Sequence, residues 1–597
     1  MSLLQASSLE YQKKAVKLHL WESRYWNLLL HMVDGESEID DPNFFFAKDG
    51  KTNAKNELNA TLDALLHETR FDDNASACKF PARTYWLAHE LNITDLPEVH
   101  CTKYNKILKR LAPKSATLVF PSAHINSPAS MFGHTFIRIN SRYKSKLLAY
   151  AINYAADADP TKENGTIFAI KGLFGGYYGN YSLLPYSEKL KEYRDSEQRD
   201  IWEYDLDLNK AETLSMVRHI WELNGTHSRY YFLTENCSYN MLWLIEIARP
   251  SLYLREHFHF EVIPLETIHV VKEENIIIAE SYRPSKRTTL LKYEELIESQ
   301  NIHYVKELVN SDVDVEKFLE DTTITMQQEQ YILEASIEYL EYSYSKTKMS
   351  KEQYLKIFHT LTKSRAILGK GNILKIETPN NPIISHRAIR TSIGAGVRDG
   401  KGIGFLGLRP AYHDLEDSDV GFLRGTQIEF LTILLSYNKE TSIELEKATL
   451  LSIASITQRS EFFSGLSWRM HTGWDKNSFQ EKSNFTGSVG VGFGIGNKFA
   501  YIYALVEPFF YITDTLTGGA GATLGLVIDK YKFMSTNIEA TQRLYDTGRT
   551  QSLVHLTQSF RLSQNFQMKL QYTYKDRYSD SVEANEQTYR AVLNYYY

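Results

Sequence analysis

Residues 566–575 have the sequence FQMKLQYTYK, in which apolar and polar side chains alternate without a break. Alternation with a period of two places one set of side chains on each face of a β-strand. The same pattern returns at 485–495, 520–528 and 588–597, and most of the 31 glycines follow Pro382. We predict about twelve such strands of about ten residues each, which is typical of an outer-membrane β-barrel.

A soluble antiparallel sandwich is the alternative, because its strands also alternate. The composition favours the barrel, since 13% of the residues are aromatic and 39 are tyrosines. A lipid interface uses tyrosines at strand ends, whereas a sandwich gains nothing from them. The chain also ends on Tyr597, and an aromatic last residue resembles the C-terminal signature of bacterial outer-membrane barrels. We therefore expect residues 381–597 to lie in an outer membrane.

The composition excludes two other classes of protein. The net charge of −6 gives no basic surface of the kind that binds nucleic acid. No run of about 18 apolar residues is present, so the chain is not a helical membrane protein. Residues 1–5 lack the basic and then apolar pattern of a secretory signal, and we interpret the sequence as a mature form without its signal.

Three regions precede the barrel. We predict a helical N-terminal domain at 1–105, a mixed domain at 106–265 and a charged, helical connecting region at 266–380. The fold class is therefore α+β with helical flanking regions, followed by a transmembrane antiparallel barrel. Within the mixed domain, strands are predicted at 116–120, 134–140 and 147–154, and helices at 211–223 and 238–247.

Three cysteines are present, which is an odd number for an exported protein. Such a count indicates one pair and one free thiol. Cys78 and Cys101 lie in the same small helical region and form the natural pair, although two ordinary buried thiols are the alternative. In both cases Cys237 is left over, and a free thiol in an oxidising compartment suggests chemistry.

Cys237 directly precedes a predicted apolar helix. The positive end of the helix dipole lowers the pKa of a thiol at that place and favours the thiolate. A thiol nucleophile also needs a base, and His134 opens a predicted strand after a loop of small residues. We predict that Cys237 is the nucleophile and His134 the base, with two purely structural residues as the alternative.

Two motifs resemble a known family. Residues 127–136, SPASMFGHTF, and residues 235–239, ENCSY, look like the Lnb-type periplasmic domain, which is associated with lipoprotein N-acyltransfer. Their order also resembles the circularly permuted papain-like fold, as in lecithin retinol acyltransferase. The resemblance covers residues 110–260. The lipoprotein acyltransferase form is expected to carry a helical membrane part, whereas this chain has a barrel instead.

The resemblance implies a third site residue. In permuted papain-like enzymes it comes from the strand after the histidine, which here gives Asn153, with Tyr154 behind it. Independently, the Cys237 N–H at a helix start is the simplest oxyanion donor. We interpret Ser127 and Ser130 as turn or helix caps rather than catalytic groups.

Two further segments have alternative interpretations. The loop at 172–181 is rich in glycine and tyrosine, and it either lines an acyl groove or is an ordinary packed loop. His257, His259 and Glu261 would share one face of an extended segment, which is the alternative of a metal site. No spacing typical of a zinc enzyme accompanies them, so we predict no metal and no cofactor.

The sequence therefore predicts an outer-membrane thiol acyltransferase or hydrolase with its catalytic domain in the periplasm. Cys237 would form a thioester with an acyl group from a lipid or lipoprotein, and the expected partners are membrane lipid and that substrate, not nucleic acid. One alternative is a cysteine amidase or peptidase that acts on peptidoglycan. The other is a barrel whose periplasmic domain only gates it or binds a partner.

Overall fold

The structure is a computed structural model that describes residues 3–122, 133–143, 145–158, 165–346, 349–440, 442–478, 483–512, 515–579 and 582–597. The chain divides into two compact units, residues 1–286 and residues 287–597. No helix in the described part of the chain is both long enough and apolar enough to cross a bilayer.

The first unit begins with a layer of helices. Their buried core contains Trp26, Leu58 and Leu87, and it continues into Trp243 from the later helix that carries Cys237. This layer therefore supports the site helix from behind. Its elements are α1 (Leu3–Lys17), α2 (Arg24–Leu29), β1 (Met32–Val33), β2 (Glu36–Ser37), α3 (Ala54–Leu66), α4 (Ser76–Lys79), α5 (Pro81–Leu91) and α6 (Thr102–Leu111).

A disulfide closes the helical layer. Cys78 in α4 and Cys101, directly before α6, are joined with their Cα atoms 5.1 Å apart, which confirms the predicted pair. Cys237 is the free cysteine, and it is buried. A crosslink across such a loop stabilises the folded chain by about 3 kcal/mol, chiefly by restricting the unfolded state.

An antiparallel sheet of seven strands follows, in the order β8-β6-β5-β4-β3-β7-β9. Asn209 begins one of its flanking helices with a capping box, in which Asn209 and Glu212 each accept a hydrogen bond from the other's backbone N–H. The elements are β3 (Pro113–Pro121), β4 (Phe136–Ser141), β5 (Tyr150–Ala156), α7 (Gly165–Leu173), β6 (Tyr177–Pro185), α8 (Tyr186–Leu190), β7 (Ile201–Leu206), α9 (Lys210–Glu222), β8 (His227–Tyr230), α10 (Cys237–Ala248), α11 (Pro264–Glu273) and β9 (Ile277–Arg283).

The predicted strands and helices of this domain are present, with two differences. β4 begins at Phe136, so His134 lies in the segment before the strand and does not open it. β9 lies inside the region predicted as helical and pairs with β7 at the edge of the sheet. The domain boundaries drawn from the sequence stay predictions.

The second unit begins with helices that pack onto one turn of the barrel. Leu290, Val305 and Ile332 share a buried core with Phe462 and Phe463, which lie between two barrel strands. The connecting region therefore packs against its neighbour, as its charged and helical pattern predicts. Its helices are α12 (Lys286–Leu296), α13 (His303–Asn310), α14 (Val315–Leu319), α15 (Met326–Lys346) and α16 (Lys351–Ile367).

The barrel is closed and antiparallel. Consecutive strands pair with one another, β10 pairs with β22, and β11 and β12 lie end to end along β13 as one strand, so that twelve strands complete the circle in the described residues. The strands are β10 (Arg390–Arg398), β11 (Lys401–Arg409), β12 (Ala411–His413), β13 (Thr426–Asn438), β14 (Ser442–Ser455), β15 (Ser467–Asp475), β16 (Asn484–Asn497), β17 (Ala500–Ile512), β18 (Leu516–Tyr531), β19 (Met534–Tyr545), β20 (Thr550–Arg561), β21 (Phe566–Ser579) and β22 (Val582–Tyr596).

The two faces of the barrel wall differ as the alternation predicts. Val491, Leu524 and Leu593 point outward and are about half exposed, while Lys569 and Asn594 point inward and are buried. An apolar exterior around a polar interior suits a wall that faces lipid on one side only. This arrangement confirms the barrel and excludes the soluble sandwich.

One turn of the barrel folds into its interior. We call residues 414–425, between β12 and β13, the lumen turn. Glu416 accepts hydrogen bonds from Thr557 at 2.9 Å and from Gln571 at 2.8 Å. Asp417 accepts one from the Tyr596 hydroxyl at 2.7 Å and lies 3.0 Å from Lys569 Nζ. The turn is therefore held by β20, β21 and β22 beside a cavity of about 450 Å³.

Candidate active site

Cys237 is the first residue of α10, and its neighbour fixes it there. The Asn236 side chain accepts hydrogen bonds from Ser238 N at 3.0 Å and Tyr239 N at 3.3 Å, as the N-terminal cap of a helix does. The remaining residues of α10 are mostly buried, including Trp243, so the helix cannot move independently of the core. The thiol is thereby held at the positive end of a helix dipole.

His134 lies beside the thiol and is oriented by Asn153. The His134 Nε2 and Asn153 Oδ1 atoms are 2.8 Å apart, and Asn153 is buried in β5. Because an amide oxygen only accepts hydrogen bonds, Nε2 carries the proton and Nδ1 is left as the basic nitrogen. The ring also stacks on Tyr193, with centroids 5.5 Å apart. The structure thus brings the three predicted residues together, and their catalytic roles stay predictions.

The residue after His134 is hydrogen-bonded directly to the site helix. The Thr135 hydroxyl donates a hydrogen bond to the Ser238 hydroxyl at 2.8 Å. Both residues are fully buried, so this bond holds the histidine segment and the cysteine helix together without water. The two motifs are about one hundred residues apart in sequence, and this contact explains how they meet.

The surroundings of the thiol favour its ionised form. Burial raises the pKa of Cys237, but the positive charge of His134 and the hydrogen bond from it outweigh burial. Further hydrogen bonds from the Thr135 backbone and from Ser238 act in the same direction, and the pKa falls to about 7. About half of the thiol is therefore ionised near neutral pH, as a nucleophile requires.

Tyr230 is a site residue that the sequence did not reveal. The Cys237 N–H donates to its hydroxyl oxygen at 3.2 Å, so the predicted oxyanion donor is engaged here with a side chain. Burial raises the pKa of Tyr230 well above its ordinary value, and the hydroxyl keeps its proton. The Tyr154 ring stacks on the Tyr230 ring with the centroids 5.6 Å apart, and a hydrogen bond of 2.7 Å joins the Tyr154 and Ser228 hydroxyl groups. An N–H and an O–H therefore meet beside the sulfur.

The loop rich in glycine and tyrosine packs beside the residues that precede Cys237. Phe232 N donates to Gly172 O at 2.8 Å, and a Cβ atom on Gly172 would lie 2.2 Å from the Phe232 ring. Tyr181 donates to Asn240 of α10 at 2.6 Å. Whether the loop accepts an acyl chain stays a prediction. Ser127 and Ser130 lie outside the described residues.

Two acidic residues near the start of α10 are partly neutral. Burial, and then the negative charge of Glu235, raise the pKa of Glu38 to about 8. Burial, and then Asp40, raise the pKa of Glu235 to about 7. Tyr239 donates to Glu38 at 2.9 Å. The negative charge near the start of α10 therefore decreases as the pH falls toward 7.

The structure does not support the alternative of a metal site at 257–261. His257 ends a short helical turn, Leu254–His257, so the segment is not extended, and its Nε2 is 3.7 Å from Glu274. In the part of the chain that the structure describes, His257, His259 and Glu261 do not bring three ligand atoms together.

A different group does bring its ligand atoms together, inside the barrel. His386, His413 and Asp417 have ligand atoms within 4.8 Å of one another. Asp417, however, is already paired with Arg409 at 2.5 Å and with Lys569 at 3.0 Å. Cationic side chains at a carboxylate repel a metal ion, so this group fits an ion-pair network and not a metal centre.

Family models match the chain in four consecutive stretches. The Lnb N-terminal periplasmic domain matches residues 103–274, which contain Cys237, His134 and Asn153. Three domains of unknown function match residues 18–90, 280–372 and 379–596. No curated protein matches the chain.

Several solved barrels are similar to part of the chain. The KdgM porin in complex with disordered oligogalacturonate is 9% identical and covers 35% of this chain and 99% of its own, with a TM-score of 0.23. The NanC porin is 8% identical over 35% of this chain and 100% of its own, with a TM-score of 0.25. The channel DcaP of Acinetobacter baumannii is 7% identical over 36% and 96%, with a TM-score of 0.20.

The closed barrel with its apolar exterior and the match to a periplasmic domain determine the location. This chain is an outer-membrane protein. Only helices and closed barrels satisfy all of their backbone hydrogen bonds in lipid, and the outer membrane is where closed barrels of this kind are found. The region that carries Cys237 lies on the periplasmic side.

Proposed function

We propose that the chain is an outer-membrane-tethered thiol acyltransferase or hydrolase that carries an acyl group on Cys237. The observation behind this proposal is the arrangement of Cys237, His134 and Asn153, with a thiol pKa of about 7 at a helix start. A nucleophile, a base and a group that orients the base are the elements of covalent acyl transfer.

The proposed reaction has two halves. His134 Nδ1 takes the thiol proton, and the Cys237 sulfur attacks an ester carbonyl carbon to form a tetrahedral oxyanion. The Cys237 N–H, once released from the Tyr230 oxygen that it contacts at 3.2 Å, and the Tyr230 O–H would stabilise that oxyanion. The C–O bond then breaks, the imidazolium returns its proton to the leaving alcohol, and a thioester remains.

In the second half, an amine or water attacks the thioester carbonyl. His134 takes a proton from the attacking group and returns it to the sulfur as the C–S bond breaks, which regenerates the thiol. An amine acceptor gives an amide and water gives a free acid. The family match and the membrane tether both support a lipid or lipoprotein as the acyl donor.

The test is to trap the acyl group. Wild-type protein in phospholipid vesicles should gain a fatty acyl mass on the Cys237 peptide, and Cys237→Ala should abolish it. Cys237→Ser should give a slower and more stable oxygen ester, which neutral hydroxylamine releases far more slowly than the thioester. A variant with the exposed His359→Ala in α16 is the control for handling and folding.

Two results would replace this proposal. A muropeptide fragment on Cys237, with no fatty acyl group from any phospholipid, would make the chain a cysteine amidase of peptidoglycan. A folded wild-type protein with a reactive thiol and no adduct from either donor would indicate a non-enzymatic periplasmic domain.

A further inference from the structure

Large apolar side chains are exposed on the segments that flank Cys237. Phe260 is 84% exposed, Phe174 is 77% exposed, and Ile167 and Tyr178 are about half exposed. We call these four residues the apolar rim. Exposed apolar side chains are ordinary when they are scattered singly, but a group of them around one site indicates an interaction surface.

The apolar rim is fixed to the residues just before the thiol. Phe232 N donates to Gly172 O at 2.8 Å, two residues before Phe174. On the other side, Val262 N donates to Leu233 O at 2.7 Å, two residues after Phe260.

Asn236, at the start of α10, contacts both segments that hold the rim residues. Its side-chain amide donates to Val262 O at 2.6 Å and to Phe232 O at 3.1 Å, while its oxygen caps α10. The residue that positions Cys237 is therefore the same residue that holds both segments of the rim. A molecule that covers the rim is brought to the thiol.

Two cationic side chains accompany the rim. Arg229 is exposed, lies 5.8 Å from the Tyr178 ring centroid and donates to Gly175 O at 3.0 Å. Lys171 is also exposed and lies 5.7 Å from the Tyr177 ring centroid. Exposed apolar and aromatic residues next to lysine and arginine are typical of segments that enter the headgroup region of a bilayer.

We propose that the apolar rim enters the periplasmic leaflet of the outer membrane, with Arg229 and Lys171 at lipid phosphates, and so brings phospholipid to Cys237. This inference rests on the proposed function, since an acyltransferase that uses phospholipid must take its substrate out of a membrane. The anionic phosphate complements the two cations, and the barrel of the same chain keeps a bilayer within reach.

The test uses the full-length chain in vesicles. In a Cys237→Ser background, Phe174→Cys or Phe260→Cys is labelled with an environment-sensitive dye, and the vesicles contain phospholipid with a headgroup spin label. The headgroup spin label should quench the fluorescence of each rim label, because the label would lie at the depth of the lipid headgroups. Adding phosphatidylglycerol to phosphatidylcholine should strengthen the quenching because of Arg229 and Lys171.

The matched control is Tyr85→Cys in α5, which replaces another exposed aromatic residue of the same unit, 56% exposed and 3.7 Å from the Arg218 guanidinium. Its label should not be quenched. No quenching at either rim position, or equal quenching at Tyr85, would overturn the proposal. Acyl transfer to wild-type Cys237 without rim quenching would refute the rim alone, whereas quenching without any acyl adduct would refute the proposed chemistry alone.

Discussion

Replacing His134 with alanine tests the electrostatics of the site directly. The change removes the positive charge and the hydrogen bond that lower the pKa of Cys237, while the burial that raises it remains. The pKa should therefore rise from about 7 to at least its ordinary value of 9.0. At pH 7 the ionised fraction of the thiol should then fall from about one half to about one hundredth.

The rate of Cys237 alkylation should fall by a smaller factor than the fraction of ionised thiol. A thiolate whose pKa is two units higher is a better nucleophile by about eightfold, because nucleophilicity rises with basicity. Alkylation of Cys237 at pH 7 should therefore slow by only about sixfold. The midpoint of the curve of rate against pH is the sharper measure, since it should move up by about two pH units.

The assay is iodoacetamide labelling of the full chain in detergent between pH 5 and about pH 10, followed by mass analysis of the Cys237 peptide. Cys78 and Cys101 are joined and do not react. His359→Ala should keep the midpoint near 7. A His134→Ala variant whose midpoint also stays near 7 would show that the histidine does not control the thiol.

Three further predictions follow from other contacts. Tyr230→Phe should lower the rate of thioester formation by roughly 10- to 100-fold, because an oxyanion donor acts on the transition state. The midpoint of Cys237 alkylation should stay within about one pH unit of the wild type. A shift of that midpoint with no loss of rate would contradict the role of Tyr230. Below pH 6.5 His31 and His219 should each lower the free energy of unfolding of the first unit by about 1 kcal/mol per pH unit, because burial lowers their pKa and the unfolded chain binds the protons instead. Glu38 and Glu235, whose pKa values are raised, act in the opposite direction, so the measurement uses a Glu38→Gln, Glu235→Gln background. The urea midpoint of that variant should be lower at pH 5.5 than at pH 7.5, and equal midpoints would refute the effect. In planar bilayers the wild-type barrel should show little ion conductance. The Asp417→Ala variant should show transient channel openings, because that change removes contacts that hold the lumen turn. A steady large conductance of the wild type would show that the turn does not close the pore.

The barrel could be predicted from the sequence because its signal is local and repeated. Val491 faces lipid and Lys569 faces the interior, and strands such as β17 repeat that contrast every two residues. The candidate site could be predicted for a different reason. Cys237 is the unpaired cysteine of only three, and the motifs around Cys237 and His134, which is one of 18 histidines, resemble a family.

The missed features depend on tertiary contacts. β9 is an edge strand whose residues are mostly exposed, so it has no hydrophobic alternation to detect. Tyr230 is one of 39 tyrosines, and nothing in its neighbouring sequence shows that its hydroxyl meets the Cys237 N–H. A residue whose role depends on its position in the folded chain has no local sequence pattern that predicts that role.

The lumen turn occupies part of the interior of the barrel. Its sequence, DLEDSDVGFLRG at 414–425, is what an ordinary polar turn would have. Its partners are more than 130 residues away in β20, β21 and β22, and they are charged or polar side chains that point into the interior. Turns on the periplasmic side of a barrel are usually short, and one of this length that enters the interior reduces the space for a solute path. A barrel of this kind still holds a thiol enzyme at one membrane. Under the proposed function, that attachment is sufficient, because the acyl donor is already in the leaflet that the enzyme faces.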